Sequence, residues 1–163
     1  MLEFVISKMA MMIAAIIILT SVLGIYTLQR EQAKDLELRN IADKIADAID
    51  DLNSLQGETK VNVTFERGKE GVYVKPSVKG KNYEIMIAQY KVMISQNHKR
   101  SISNLMGPIH SWEPLSNSYN NTQIEEIDGT NRTLELKSGK DFKIERKLIE
   151  ISGENEYRTF VYV

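Results

Sequence analysis

Residues 9–28, MAMMIAAIIILTSVLGIYTL, form a run of twenty without a charge. At 1.5 Å of rise per residue such a helix spans about 30 Å, the thickness of a bilayer's hydrocarbon core. A surface that is apolar on all sides must be covered along its whole length, so the run is a membrane anchor, a secretory signal or a buried core helix. The polar members Thr20 and Ser21 can return their hydroxyls to the helix's own carbonyls, Gly24 is common in membrane helices, and Tyr26 suits an interface. A secretory signal has a shorter apolar region followed by a small-x-small cleavage site, whereas here IYTLQREQ follows. The expectation is a retained, single-pass anchor in the lipid bilayer. Lys8 precedes the span while Arg30 and Lys34 follow it, so positive charge alone does not set the orientation. The short leading segment and the domain-sized remainder lead us to expect the N-terminus in the cytoplasm and the C-terminal domain extracellular.

Beyond the run, apolar residues recur at Leu38, Ile41, Ala42, Ile45, Ala48, Ile49, Leu52 and Leu55, a spacing that gathers them on one helical face with charges opposite. No proline interrupts the stretch and Gly57 offers a C-terminal cap, so a single helix of about fifty residues is expected, from near Ser7 to residue 56. The apolar stripe needs a cover. The chain's own sheet is the expected one, and neighbouring copies are the alternative.

After Gly57 the period changes to two. Val61, Val63 and Phe65 alternate with polar residues, 72–74 forms a short strand ended by Pro76, and 83–95 reads as a long strand or a bent pair. Asn97 and His98 mark a turn, 111–122 is a polar loop, and strands resume at 124–127, 133–137, 142–151 and 158–163. The expected fold class is α+β: a long N-terminal helix over residues 1–56, then an antiparallel β-sandwich-like domain over 57–163. Strands do not alternate with helices, which disfavours a parallel α/β enzyme scaffold.

The net charge of -1 gives no steering toward nucleic acid, although residues 31–51 are mostly acidic and 60–110 mostly basic. There is no cysteine, hence no disulfide, thiolate metal site or thiol nucleophile. His98 and His110 are not spaced as a metal pair, and both read as solvated or structural. Trp112 reads as packing, and Glu125, Glu126 and Asp128 lack the spacing of a calcium loop. The basic stretch suits an acidic surface or simply the wet face of a sheet. No nucleophile elbow, phosphate loop, HExxH or dinucleotide fingerprint occurs. We therefore expect no enzyme, no catalytic, cofactor-binding or metal-ligating residue, and no cofactor. Three N-x-[ST] sequons, at Asn62, Asn120 and Asn131, are candidate glycan acceptors in an extracellular domain.

An apolar helix opening MLEFVISKMAMMIAAIIIL, prolonged by an amphipathic half and followed by a cysteine-free β domain with sequons, resembles the archaeal type IV pilin-like surface proteins. Glu3 lies near the acid such pilins carry, whereas Lys8 and the absence of a leader site depart from their pattern. The resemblance implies a structural filament subunit, major or minor, whose helix packs against copies of itself or other pilin-like subunits through Ile13, Ile16, Ile17, Leu23 and Ile41. A second resemblance, to monotopic accessory proteins of the archaeal motility filament, implies a stationary anchor holding an envelope or surface-layer protein. Met1 and Lys8 suit it.

Overall fold

The computed structural model describes residues 2–163, apart from the side chains of Leu2, Glu3 and Val5. Met1 and the Glu3 carboxylate, both invoked by the resemblances, therefore lie outside the described residues. The elements are α1 (Leu2–Ser54), β1 (Thr59–Thr64), β2 (Val72–Tyr73), β3 (Glu84–Ala88), β4 (Lys91–Gln96), β5 (Lys99–Asn104), β6 (Ser118–Tyr119), α2 (Asn121–Thr130), β7 (Thr133–Lys137), β8 (Phe142–Ile151) and β9 (Glu154–Tyr162). This is an α+β chain with one long N-terminal helix followed by an antiparallel-rich sheet region.

The chain divides into two compact units, Met1–Leu36 and Glu37–Val163. The division falls twenty residues before the expected boundary at 56, because the amphipathic part of α1 is built into the second unit's core. Leu38, Ile41, Ala42, Ile45, Ala48, Ile49 and Leu52 are all buried, as the 3.6-residue period predicts, together with Ala46. Leu55, just past the helix end, is 44 % exposed and drops out of the stripe.

Two sheets supply the rest of that core. In the first, β8 is the hub: β1 and β9 pair with it antiparallel, β6 pairs parallel with its last residues, and β2 flanks β1 in parallel. The second runs β5-β4-β3-β7, antiparallel throughout. One cluster joins Leu38, Ile45 and Ile49 of α1 to Val63, Ile144 and Val161 of the first sheet and to Ile85, Ile87 and Ile94 of the second. Each such side chain contributes about 1.5–3 kcal/mol by leaving water. Alternation sorts the faces of β3, with Ile85 and Ile87 inward and Glu84 outward.

Local chemistry sets the connections. Asn97 and His98 both take positive φ, 50° and 66°, in the expected tight turn between β4 and β5. Gly71 has φ of 127°, and a Cβ there would lie 2.2 Å from the Asn62 carbonyl oxygen, so the loop closes on β1 only with glycine. The Tyr83 hydroxyl donates to the Lys75 carbonyl, and burial pushes that hydroxyl well above its ordinary pKa of 10.0. The 83–95 segment is the bent pair, a β3–β4 hairpin turning at Gln89 and Tyr90.

One expected strand is a helix. Residues 124–127 belong to α2, which a capping box starts: the Asn120 side chain accepts from the Gln123 N–H at 2.8 Å, and the Gln123 side chain accepts from the Asn120 N–H at 2.9 Å. Ile124 and Ile127, three apart, then face the same way onto a satellite cluster of Trp112, Ile149, Ile151, Phe160 and Tyr162.

Candidate functional site

In the first unit the uncharged run is helical throughout, and among the described residues every member of it is exposed. Its hydroxyls are satisfied locally: Thr20 donates to the Ile16 and Ile17 carbonyls at 2.9 and 3.0 Å, and Ser21 to Ile17 at 2.7 Å. No polar group of these two side chains then asks for water, the condition a helix must meet in hydrocarbon. The Lys8 ammonium lies 4.5 Å from the centre of the Phe4 ring, so the charge before the run rests on an aromatic face.

Of the proposed assembly face, Ile13, Ile16, Ile17 and Leu23 are each more than half exposed. Ile41 does not belong with them. It is 5 % exposed, held in the second unit's own core. Ile41 answers to the period of the amphipathic stripe, and that stripe is covered by the chain's own sheets, so no surface at Ile41 is left for a neighbour.

The three sequons occupy different settings. Asn120 caps α2 through its Oδ1, leaving Nδ2 open to a glycan that would preserve the cap. Asn131 ends the same helix and donates from Nδ2 to the Ile127 carbonyl at 3.1 Å. Asn62 is exposed on β1, but the threonine of its sequon, Thr64, is buried and places its hydroxyl 3.4 Å from the Asp141 carboxylate.

The most organised polar cluster is one that spacing did not reveal. Asp128 of α2 accepts from His110 Nδ1, at 2.8 and 3.0 Å to its two oxygens, and from Trp112 Nε1 at 2.8 Å. The carboxylate makes Nδ1 the protonated nitrogen of His110. His110 Nε2 is buried without a protein partner among the described residues, and the ring packs edge-on to Trp112 and tilted against Phe160, with centroids at 5.9 and 5.2 Å. The segment carrying His110 is itself pinned by main-chain bonds to Thr159 and Val161 of β9. This cluster latches α2 onto the first sheet. Asp128 also lines an open surface depression of about 750 Å³ with Met86, Tyr90, Met93 and Arg132, but its oxygens are already committed to internal donors. Among the described residues, no three His, Cys, Asp or Glu side chains converge as metal ligands.

Asp128→Ala should therefore lower stability by about 1–3 kcal/mol, because it strands two buried N–H donors. Trp112, the only tryptophan, should become more accessible to acrylamide quenching. Glu125→Ala, exposed on the same helix, should change the melting midpoint negligibly. Equal effects of the two substitutions would contradict the latch.

Comparison of the chain with protein families, with curated proteins and with solved structures finds no match.

Proposed function

We propose that this chain is a structural, non-enzymatic subunit or minor component of a cell-surface filament, of the archaeal type IV pilin-like kind. In this reading the apolar helix holds the chain in the cell membrane, the two sheets form a sandwich-like domain displayed outside, and the helix later exchanges lipid for the helices of neighbouring copies. The observation that carries it is the contrast along α1. Residues 9–28 are helical, uncharged and uncovered, while 38–52 present a stripe that the chain's own domain buries. A helix so divided has one part for its own fold and one for an apolar environment supplied from outside, and lipid and like helices are equivalent to it in polarity.

A second reading, a stationary anchor whose β domain binds an envelope or surface-layer protein, draws on Lys8, which sets a charge at the opening of the apolar segment. Full-length protein in mild detergent separates the two. The filament reading predicts concentration-dependent oligomers by light scattering and recovery of the chain in sheared surface filaments. A monomer at every concentration, absent from filaments, overturns it and favours the anchor.

A further inference from the structure

The strand registers give the folded domain, residues 37–163, two ends of opposite charge. Helix α1 enters the domain at Glu37, and β1, running antiparallel to β8, returns toward that same end. There the loops 65–71, 74–83, 97–98 and 138–141 meet. The Gln96 side-chain amide donates to the Val78, Lys81 and Asn82 carbonyls, Tyr83 and Ser138 exchange hydrogen bonds, the Phe65 N–H bonds Asp141, and Lys75 reaches Glu37 at 2.5 Å. This end exposes Lys75, Lys79, Lys81, Arg100, Lys137 and Lys140. Of its acids, Glu37 pairs with Lys75, and Glu66 and Asp141 share Lys69, while Glu70 and Glu84 are exposed there too, so the cations of this end outnumber its acids.

At the opposite end lie the C-terminal turns of α1, the β3–β4 and β8–β9 turns and α2, whose first N–H groups include one bonded to Ser152. Here Asp47, Asp51, Glu125, Glu126, Glu150 and Glu154 are exposed, outnumbering the exposed cations Lys91 and Arg132 of the same end. Asp43, Asp47 and Asp51 follow one another at four-residue spacing, a like-charge ladder that costs the helix a few tenths of a kcal/mol per step. Met106, its N–H held by Asp50 at 3.0 Å, stands 93 % exposed beside them. It is an apolar seat for the methylene stem of a lysine.

Resting on the filament reading above, we infer that these ends are a matched pair, and that the cationic end of one copy docks on the anionic end of a second copy. Each end crowds like charges that repel one another and gain from an opposite surface, and the chain itself supplies both surfaces. An anionic lipid surface would complement the cationic end alone and leave the acidic end unexplained. The second copy accounts for both. Because the contacting groups are exposed, the attachment weakens as salt shortens the Debye length from about 10 Å at 0.1 M to about 3 Å at 1 M.

The test is zero-length carbodiimide coupling of the full chain in mild detergent, with peptide mapping of inter-chain links. Links joining Lys79, Lys81 or Lys140 to Glu125, Glu126 or Glu154 are expected, falling about tenfold in 1 M salt. Lys79→Glu with Lys81→Glu should abolish the links from the unchanged Lys140 as well, and Glu125→Lys with Glu126→Lys those to the unchanged Glu154. Mixing the two variants should restore them, since each provides the end the other lacks. Oligomers that form without these links overturn the end-to-end contact while leaving the filament reading standing, and a chain that stays monomeric overturns both. Links unaffected by the substitutions, with binding to anionic vesicles lost instead, would assign the cationic end to lipid and overturn the contact.

Discussion

Ile41→Ala is expected to loosen the folded domain by about 2–5 kcal/mol, the range for truncating a buried isoleucine to alanine. Ile41 is 5 % exposed among Leu38, Ile45 and the strands of both sheets, so the lost methylenes leave a cavity that neighbouring elements close only in part. For a unit of this size the melting midpoint should fall by roughly 4 °C per kcal/mol. Ile45→Asp, at a position with no exposure at all, should go further and abolish the folded domain, because a buried unpaired carboxylate adds its desolvation cost to the cavity. The near-ultraviolet signal of Trp112 is the suitable readout, since loss of packing removes it while the helicity of residues 9–28 persists in detergent. Ile16→Ala should leave that signal and its midpoint unchanged. If Ile41→Ala altered only the oligomer distribution and not the midpoint, Ile41 would face a neighbour rather than the core.

The helix and its two-part character were legible because both rest on local signals. An uncharged run of twenty has few alternatives, and a 3.6-residue stripe names its own buried face, down to Leu38, Ile45 and Leu52. The chain's own sheets cover the stripe, as expected, but periodicity reports only that a face is buried, and that two sheets share the task was not legible from α1. Strand positions followed from alternation and from turn residues such as Asn97 and His98. The failure at 124–127 is instructive in the same terms. Ile124 and Ile127 stand three apart, which fits a helix better than a strand, and Asn120 with Gln123 spells a capping box just before them. The polar composition of that stretch hid both signals.

The His110–Asp128–Trp112 cluster and the polarity of the two ends share a different reason for having been missed. Asp128 is eighteen positions from His110 and sixteen from Trp112, and only the return of α2 against β8 and β9 brings them together. Likewise the acidic and basic halves of the chain were visible in the sequence, but antiparallel pairing carries each strand's loops to alternate ends. Lys75, Lys79, Arg100 and Lys140, dispersed along sixty-five residues, meet only once the registers are known.

Introducing Ile16→Asp together with Ile17→Asp is expected to release the chain from membranes. At the centre of a spanning helix an aspartate costs about 2.5–3.5 kcal/mol where an isoleucine contributes about 0.3–0.6 in favour, so two replacements shift insertion by about 6–8 kcal/mol. Ile16 and Ile17 lie near the middle of the uncharged run, each 59 % exposed, and neither belongs to the domain's core cluster, so the cost falls on the surroundings of the run. After alkaline carbonate extraction the native chain should stay in the pellet and the double variant should move to the supernatant, with the Trp112 signal and melting midpoint of the domain unchanged. Paired replacements at Arg39 and Asn40, exposed beyond the run, should leave partitioning as it was. A double variant that remained with the pellet would show that residues 9–28 do not meet lipid, and the apolar surface would then have to be covered by protein from the start. A variant that left the membrane but also lost the domain signal would show that the two parts of α1 do not divide their tasks. The expected separation of the two readouts is what distinguishes a helix with one end for its fold and one for its surroundings from a helix that is core throughout.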